Sequence, residues 1–106
     1  MEEFEKRMFQ EFTELDGRYQ KLTAFLESEE KRNSVDPEML SLMYQQHTGM
    51  EVYKGALMGR INKLGFLEYP LVKLGDVITT DKDEALRCVA LDPQTYEPTF
   101  EMVSTL

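Results

Sequence analysis

The segment Glu29-Glu30-Lys31-Arg32-Asn33-Ser34-Val35-Asp36-Pro37-Glu38 separates two long runs of helical periodicity. From Glu29 to Ser34 every side chain is polar, which stops the first run. Asp36 can then accept from the free amides of a new helix, Pro37 suits its first position, and Glu38 complements its positive end. A stop and a restart so close together predict two helices that turn back on each other.

Upstream, apolar side chains fall at Phe4, Met8, Phe12, Leu15, Tyr19, Leu22 and Leu26, in steps of three and four. That spacing lines one face of a helix. Phe9 and Phe25 widen the stripe, and Gly17 interrupts it at a cost of about 1 kcal/mol relative to Ala. A helix over 2–29 would be about 40 Å long. Downstream, the second helix is expected from Pro37 to about Leu64. Its stripe runs through Met39, Met43, Met50, Tyr53, Leu57, Ile61 and Leu64, with a polar gap at Gln46 and His47. Leu64-Gly65-Phe66 reads as the stop, with Gly65 free to adopt the left-handed conformation. The reading is mainly α: an antiparallel two-helix hairpin over 1–65.

Residues 66–106 lose this periodicity and form a second, β-containing extension. Three of the four prolines lie here. Short apolar runs at Leu71-Val72, 77–80, 86–91 and 100–103 alternate with turn residues, which predicts two or three short strands. Asp83-Glu84-Ala85-Leu86 is equally compatible with a helical start. This extension holds eight acids and three bases, and so carries −5 of the total charge of −8.

Composition excludes several classes. With 106 residues there is room for one domain or a domain and a short extension. An apolar fraction of 42% is too high for a disordered tail. Twelve basic against 20 acidic residues leave no excess to neutralise phosphates, so no direct nucleic-acid contact is expected. One His and one Cys are too few for a structural zinc site or an intrachain disulfide. No run approaches the roughly 18 apolar residues that span a bilayer, and the acidic start is unlike a signal peptide. An intracellular protein without a membrane contact is the expectation.

No catalytic constellation is present, so no enzyme and no cofactor are expected. His47 has no Ser, Cys or Asp at a recognised spacing and reads as a packing or hydrogen-bonding residue. Cys88 sits in an apolar run, where thiols are inert. The acidic pairs Glu2-Glu3, Glu29-Glu30 and Asp83-Glu84 point in different directions and read as solvated faces, with no metal site. The end of the second helix has anion-binding potential in Lys54, Arg60 and Lys63 beside Tyr53. These bases are dipole partners first. Gathered at a subunit interface, they would bind a phosphate, Arg60 in bidentate fashion, while Tyr44 or Tyr53 stacks on a base.

The hairpin has apolar residues to spare. Phe9, Phe25, Leu40, Leu42, Tyr44, Val52, Ala56 and Met58 lie off the main stripe, and Gly55-Ala56 with Gly59 permits close backbone approach. A homo-oligomer is expected.

The run Arg18-Tyr19-Gln20-Lys21-Leu22-Thr23-Ala24-Phe25-Leu26-Glu27-Ser28, a polar spacer, and then 42–46 and 50–61 resemble small helical-hairpin proteins of tailed phages, including crAss-like phages. His47-Thr48-Gly49 and the extension after Gly65 depart from that pattern. Those proteins share no general activity to transfer. Thr48-Gly49-Met50 and Arg60-Ile61 are also similar to the hairpin of phage proteins that sequester cyclic-nucleotide immune signals. Those proteins assemble through their hairpins and hold ligand at subunit interfaces. This similarity implies a phage-encoded counter-defence protein in the host cytoplasm. The match is too short to carry binding residues across; the hairpin and its clustered bases set the expected site near Tyr53, Lys54, Arg60 and Lys63, for a cyclic nucleotide or an ADP-ribose derivative. Two other readings stand beside it. The acidic surface would suit a protein inhibitor of a host defence or nucleic-acid enzyme, weakened by salt. A virion or assembly component is the third.

Overall fold

The computed structural model describes residues 1–105, so the last position of the expected 66–106 extension lies outside it. The chain divides into two compact units, 1–61 and 62–106. The elements in order are α1 (Glu3–Glu27), α2 (Glu29–Arg32), α3 (Pro37–Leu64), β1 (Val77–Thr79), β2 (Glu84–Leu91) and β3 (Pro98–Thr105).

Each helix end is satisfied locally. Glu2 and Glu5 form a reciprocal capping box at the start of α1, with Glu2 N donating to Glu5 Oε1 at 2.7 Å. Gly17 does not break α1. No base lies in the last turn of α1. Arg32 supplies one instead, reaching back from α2 to donate from Nη1 to the Leu26 carbonyl at 2.6 Å. The polar connection is thus a single helical turn, capped by Ser28, whose Oγ accepts from Lys31 N at 3.3 Å. Asp36 caps α3 as the sequence predicts, its Oδ1 accepting from Met39 N at 2.8 Å. Gly65 ends the helix at φ +66°.

The two long helices run antiparallel. Asp16 on α1 meets Lys54 on α3, and Thr23, seven residues further along α1, meets His47, seven residues earlier on α3. Glu11 also meets Tyr53. Met8, Phe12, Leu15 and Leu26 are buried on α1, and Leu57, Met58 and Ile61 on α3. No residue before Leu57 is buried on α3, so its apolar core is confined to its C-terminal end. The expected stripes are therefore trimmed. Phe4, Met39, Tyr53 and Leu64 remain about half exposed, while Met58, expected off the seam, is buried. The reason is a rotation of α3. Its inward line passes through Met43, His47, Met50, Lys54, Leu57 and Ile61, and Tyr53 sits one residue off that line.

The second unit is an antiparallel meander in the order β1-β2-β3. Residues 84–91 form a strand and not the helical start that Asp83-Glu84-Ala85-Leu86 also allowed. Asp83 sits at φ +57°, a turn conformation that keeps a helix from starting there. Thr80 closes this turn by accepting at Oγ1 from the amides of Lys82 and Glu84. Shifts of register between Ala85 and Leu86 and between Cys88 and Ala90 mark irregularities in the β2–β3 ladder. Cys88 is buried, as are Ala85 and Leu71. Leu71-Val72 forms no strand. Asn62 holds Leu71 instead, its Oδ1 accepting from Leu71 N at 2.7 Å and its Nδ2 donating to Leu71 O at 2.9 Å.

Candidate functional site

The polar gap in the sequence of α3 becomes a polar layer between the helices. Asp16 is 2% exposed and its Oδ1 lies 2.7 Å from Lys54 Nζ. Gln20, one turn further along α1, donates from Nε2 to Asp16 Oδ2 at 2.7 Å. Lys54 Nζ also stands 4.7 Å from the centroid of the Tyr19 ring, close enough for a cation–π attraction. His47 stacks on Tyr19 with centroids 4.5 Å apart and planes inclined by 20°. Its Nε2 is 2.7 Å from Thr23 Oγ1.

The donor in that last contact follows from counting protons. A threonine hydroxyl has one. Thr23 gives it to the Tyr19 carbonyl at 2.8 Å. Thr23 Oγ1 must then accept, so His47 Nε2 carries hydrogen and donates. This is the packing and hydrogen-bonding role expected of His47.

The layer changes the standing of the expected ligand residues. Lys54 faces into the hairpin, on Asp16 and Tyr19. Tyr53 is 47% exposed and its hydroxyl donates to Glu11 Oε1. Arg60 and Lys63 are exposed on α3. Tyr53 and Arg60, seven residues apart, share a line along the helix, whereas Lys54 lies about a quarter turn away on the inner side. Three of the four thus remain on an accessible flank, and the fourth serves the hairpin. Tyr44, the other candidate for stacking, is also exposed.

Asp16, Tyr19 and Thr23 were not foreseen as a polar group. The available signal was the spacing of His47 and Lys54, which continue the line of Met43, Met50 and Leu57 at steps of three and four. A base and an imidazole on a core line need polar partners across the interface.

Among the described residues, no group of three or more His, Cys, Asp or Glu is placed to hold a metal ion. No helix among them is long and apolar enough to cross a membrane. No curated protein and no solved structure matches the chain. One family model does match, over residues 2–64, which takes in α1, α2 and α3 to its last residue. Its description is Sequestin. The chain therefore belongs to the Sequestin family.

Proposed function

We propose that this chain is a non-catalytic binding protein that sequesters a small phosphate-bearing ligand. The observation that carries the reading is the Sequestin match across the whole hairpin, since the family's name is consistent with a binding or sequestering role. The ligand class is a nucleotide immune signal, either a cyclic nucleotide or an ADP-ribose derivative. The setting is a phage that disarms a bacterial defence in the host cytoplasm. The sequence resemblance to tailed-phage hairpins supports that setting.

Residue chemistry supports the ligand class. Arg60 offers a planar fork that matches a phosphate, and Lys63 adds a mobile point charge one turn later. Tyr53 offers a ring for a base. Lys54 holds the hairpin together behind them and is removed from the ligand set. A net charge of −8 disfavours long polyanions and leaves recognition of a small anion to a local pair of bases.

Calorimetry of the full chain against a panel of cyclic nucleotides and ADP-ribose derivatives tests the reading. Saturable heat is expected with at least one of them. Arg60→Ala and Lys63→Ala should each weaken it while helix content holds, because both side chains are exposed. Ligand recovered chemically unchanged from the complex would agree with a protein that binds without reacting. No heat from any compound, with a correctly folded chain, overturns the proposal.

A further inference from the structure

Helix α3 contains Gly49, Gly55 and Gly59. Each lowers helix stability by about 1 kcal/mol relative to Ala. A Cβ added at any of the three would meet nothing within 4 Å. The chain's own packing therefore does not require them.

Two of these glycines lie on one line. From Glu38 to Lys63, alternate steps of four and three trace the face of α3 opposite the Met43–Ile61 line. Every residue on this path is exposed, Leu42 at 52% and Val52 at 69%. The steps are those of a left-handed antiparallel seam. Turned end for end about the point between Met50 and Glu51, the path falls on itself. Leu42 then lies opposite Gly59, and Gln45 opposite Ala56. Val52 lies opposite Gly49. At both ends Glu38 lies opposite Lys63. Each larger side chain meets a small one, and each terminal acid meets a base.

We infer that α3 pairs antiparallel with α3 of a second copy of this chain along this line. The glycines are the receiving positions for Leu42 and Val52, which lets the two backbones approach closely. A parallel arrangement would set Glu38 against Glu38 and Val52 against Val52, losing both the charge match and the fit. The pairing is two-fold symmetric, so each contact occurs twice.

The pairing also deepens the sequestering proposal, on which this further step rests. Tyr53 and Arg60 border the seam. Two-fold symmetry places both copies' Tyr53 on the same side of it, offset by about 8 Å along the axis at 1.5 Å per residue. Lys63 faces Glu38 of the second copy and supports the ligand site through the pairing, so the ligand surface then comprises two rings and two guanidinium groups, half from each copy.

Sedimentation of the full chain over a range of concentrations is the first test. A mass of two copies, or an even multiple, is expected. Val52→Glu should weaken association by about 100-fold or more, since it seats a charge twice in the seam. Far-UV circular dichroism checks that the variant keeps its helices. Cysteine crosslinking supplies a second, independent reading of direction. Gln45→Cys and Ala56→Cys chains, mixed and oxidised, should give a disulfide-linked dimer, whereas neither alone should. The unsubstituted chain is the control for Cys88, which is buried. A single-copy mass at all concentrations, an assembly untouched by Val52→Glu, or Gln45→Cys crosslinking to itself would overturn the pairing. A paired chain that gives no heat in calorimetry removes the ligand reading alone. A single-copy chain that binds removes the pairing alone.

Discussion

Lys54→Met tests whether the polar layer holds the hairpin. Methionine keeps the length of the side chain and removes its charge. Asp16, at 2% exposure, keeps its bond from Gln20 but loses the ammonium 2.7 Å away. Two unit charges about 4 Å apart attract by roughly 4 kcal/mol at an effective dielectric of 20. Breaking a buried pair by removing one partner costs about 3–5 kcal/mol, because a charge remains without compensation. Loss of the cation–π contact with Tyr19 adds about 1 kcal/mol. The expected cost is therefore about 5 kcal/mol. The assay is urea unfolding followed by the helical far-UV signal, which reports the unit that contains the hairpin. Asp16→Leu with Lys54→Met should recover most of the loss, since a buried pair replaced by apolar residues is often neutral. A cost below about 1 kcal/mol for Lys54→Met would mean that the pair behaves like an exposed one, and would refute the reasoning. So would a double variant no better than the single one.

Thr23→Val removes the acceptor of the His47 Nε2 proton at nearly constant volume. A loss of about 1 kcal/mol is expected, and the nitrogen spectrum of His47 should lose its preference for hydrogen at Nε2. An unchanged tautomer ratio would contradict the proton count. Asp92 Oδ1 accepts from the amides of Gln94 and Thr95, at 2.8 and 3.0 Å, and the amide of Thr95 is the stronger influence holding its carboxyl below the ordinary aspartate range. A depressed folded value stabilises the β2–β3 turn above the unfolded-chain value, and the contribution is lost as pH falls through the folded one, below about pH 4. A carboxyl carbon titration should give a lower midpoint for Asp92 in the folded chain than in urea. Equal midpoints would refute this.

Where helix signals were local, the fold was legible in the sequence. Asp36 caps α3, Pro37 starts it and Gly65 ends it, because each acts on backbone within a few residues. The hairpin followed from these signals and from two apolar stripes. The rotation of α3 was not legible. Met39, Tyr53 and Leu64 fit the apolar count as well as His47 and Lys54 fail it, yet the core line takes the latter two. The carboxylate of Asp16, the ring of Tyr19 and the hydroxyl of Thr23, on the other helix, make those positions acceptable inside. Sequence periodicity weighs one helix at a time and cannot see such a partner. The same blindness hid the contacts of Lys54 with Asp16 and Tyr19. In the second unit, residues 84–91 were ambiguous because Asp83-Glu84-Ala85-Leu86 suits a helical start as well as a strand, and the ladder to both neighbouring strands decided between them.

The rotation is also what frees the outer face. If α3 had buried Met39, Tyr53 and Leu64 as its apolar count invites, its inward face would have turned toward the flank that carries Arg60. Spending His47 and Lys54 inside keeps Tyr53 and Arg60 at an accessible border and leaves the glycine line facing away from α1. Polar groups are a costly way to fill a core, and a leucine pair would give as much stability or more. Their presence is accounted for if the hairpin must fix one rotational setting of α3, since the Asp16–Lys54 and Thr23–His47 contacts are satisfied in one setting only. The same layer therefore sets which residues are sealed between the helices and which are offered outward, and substitutions in it should disturb both stability and whatever the outer face binds.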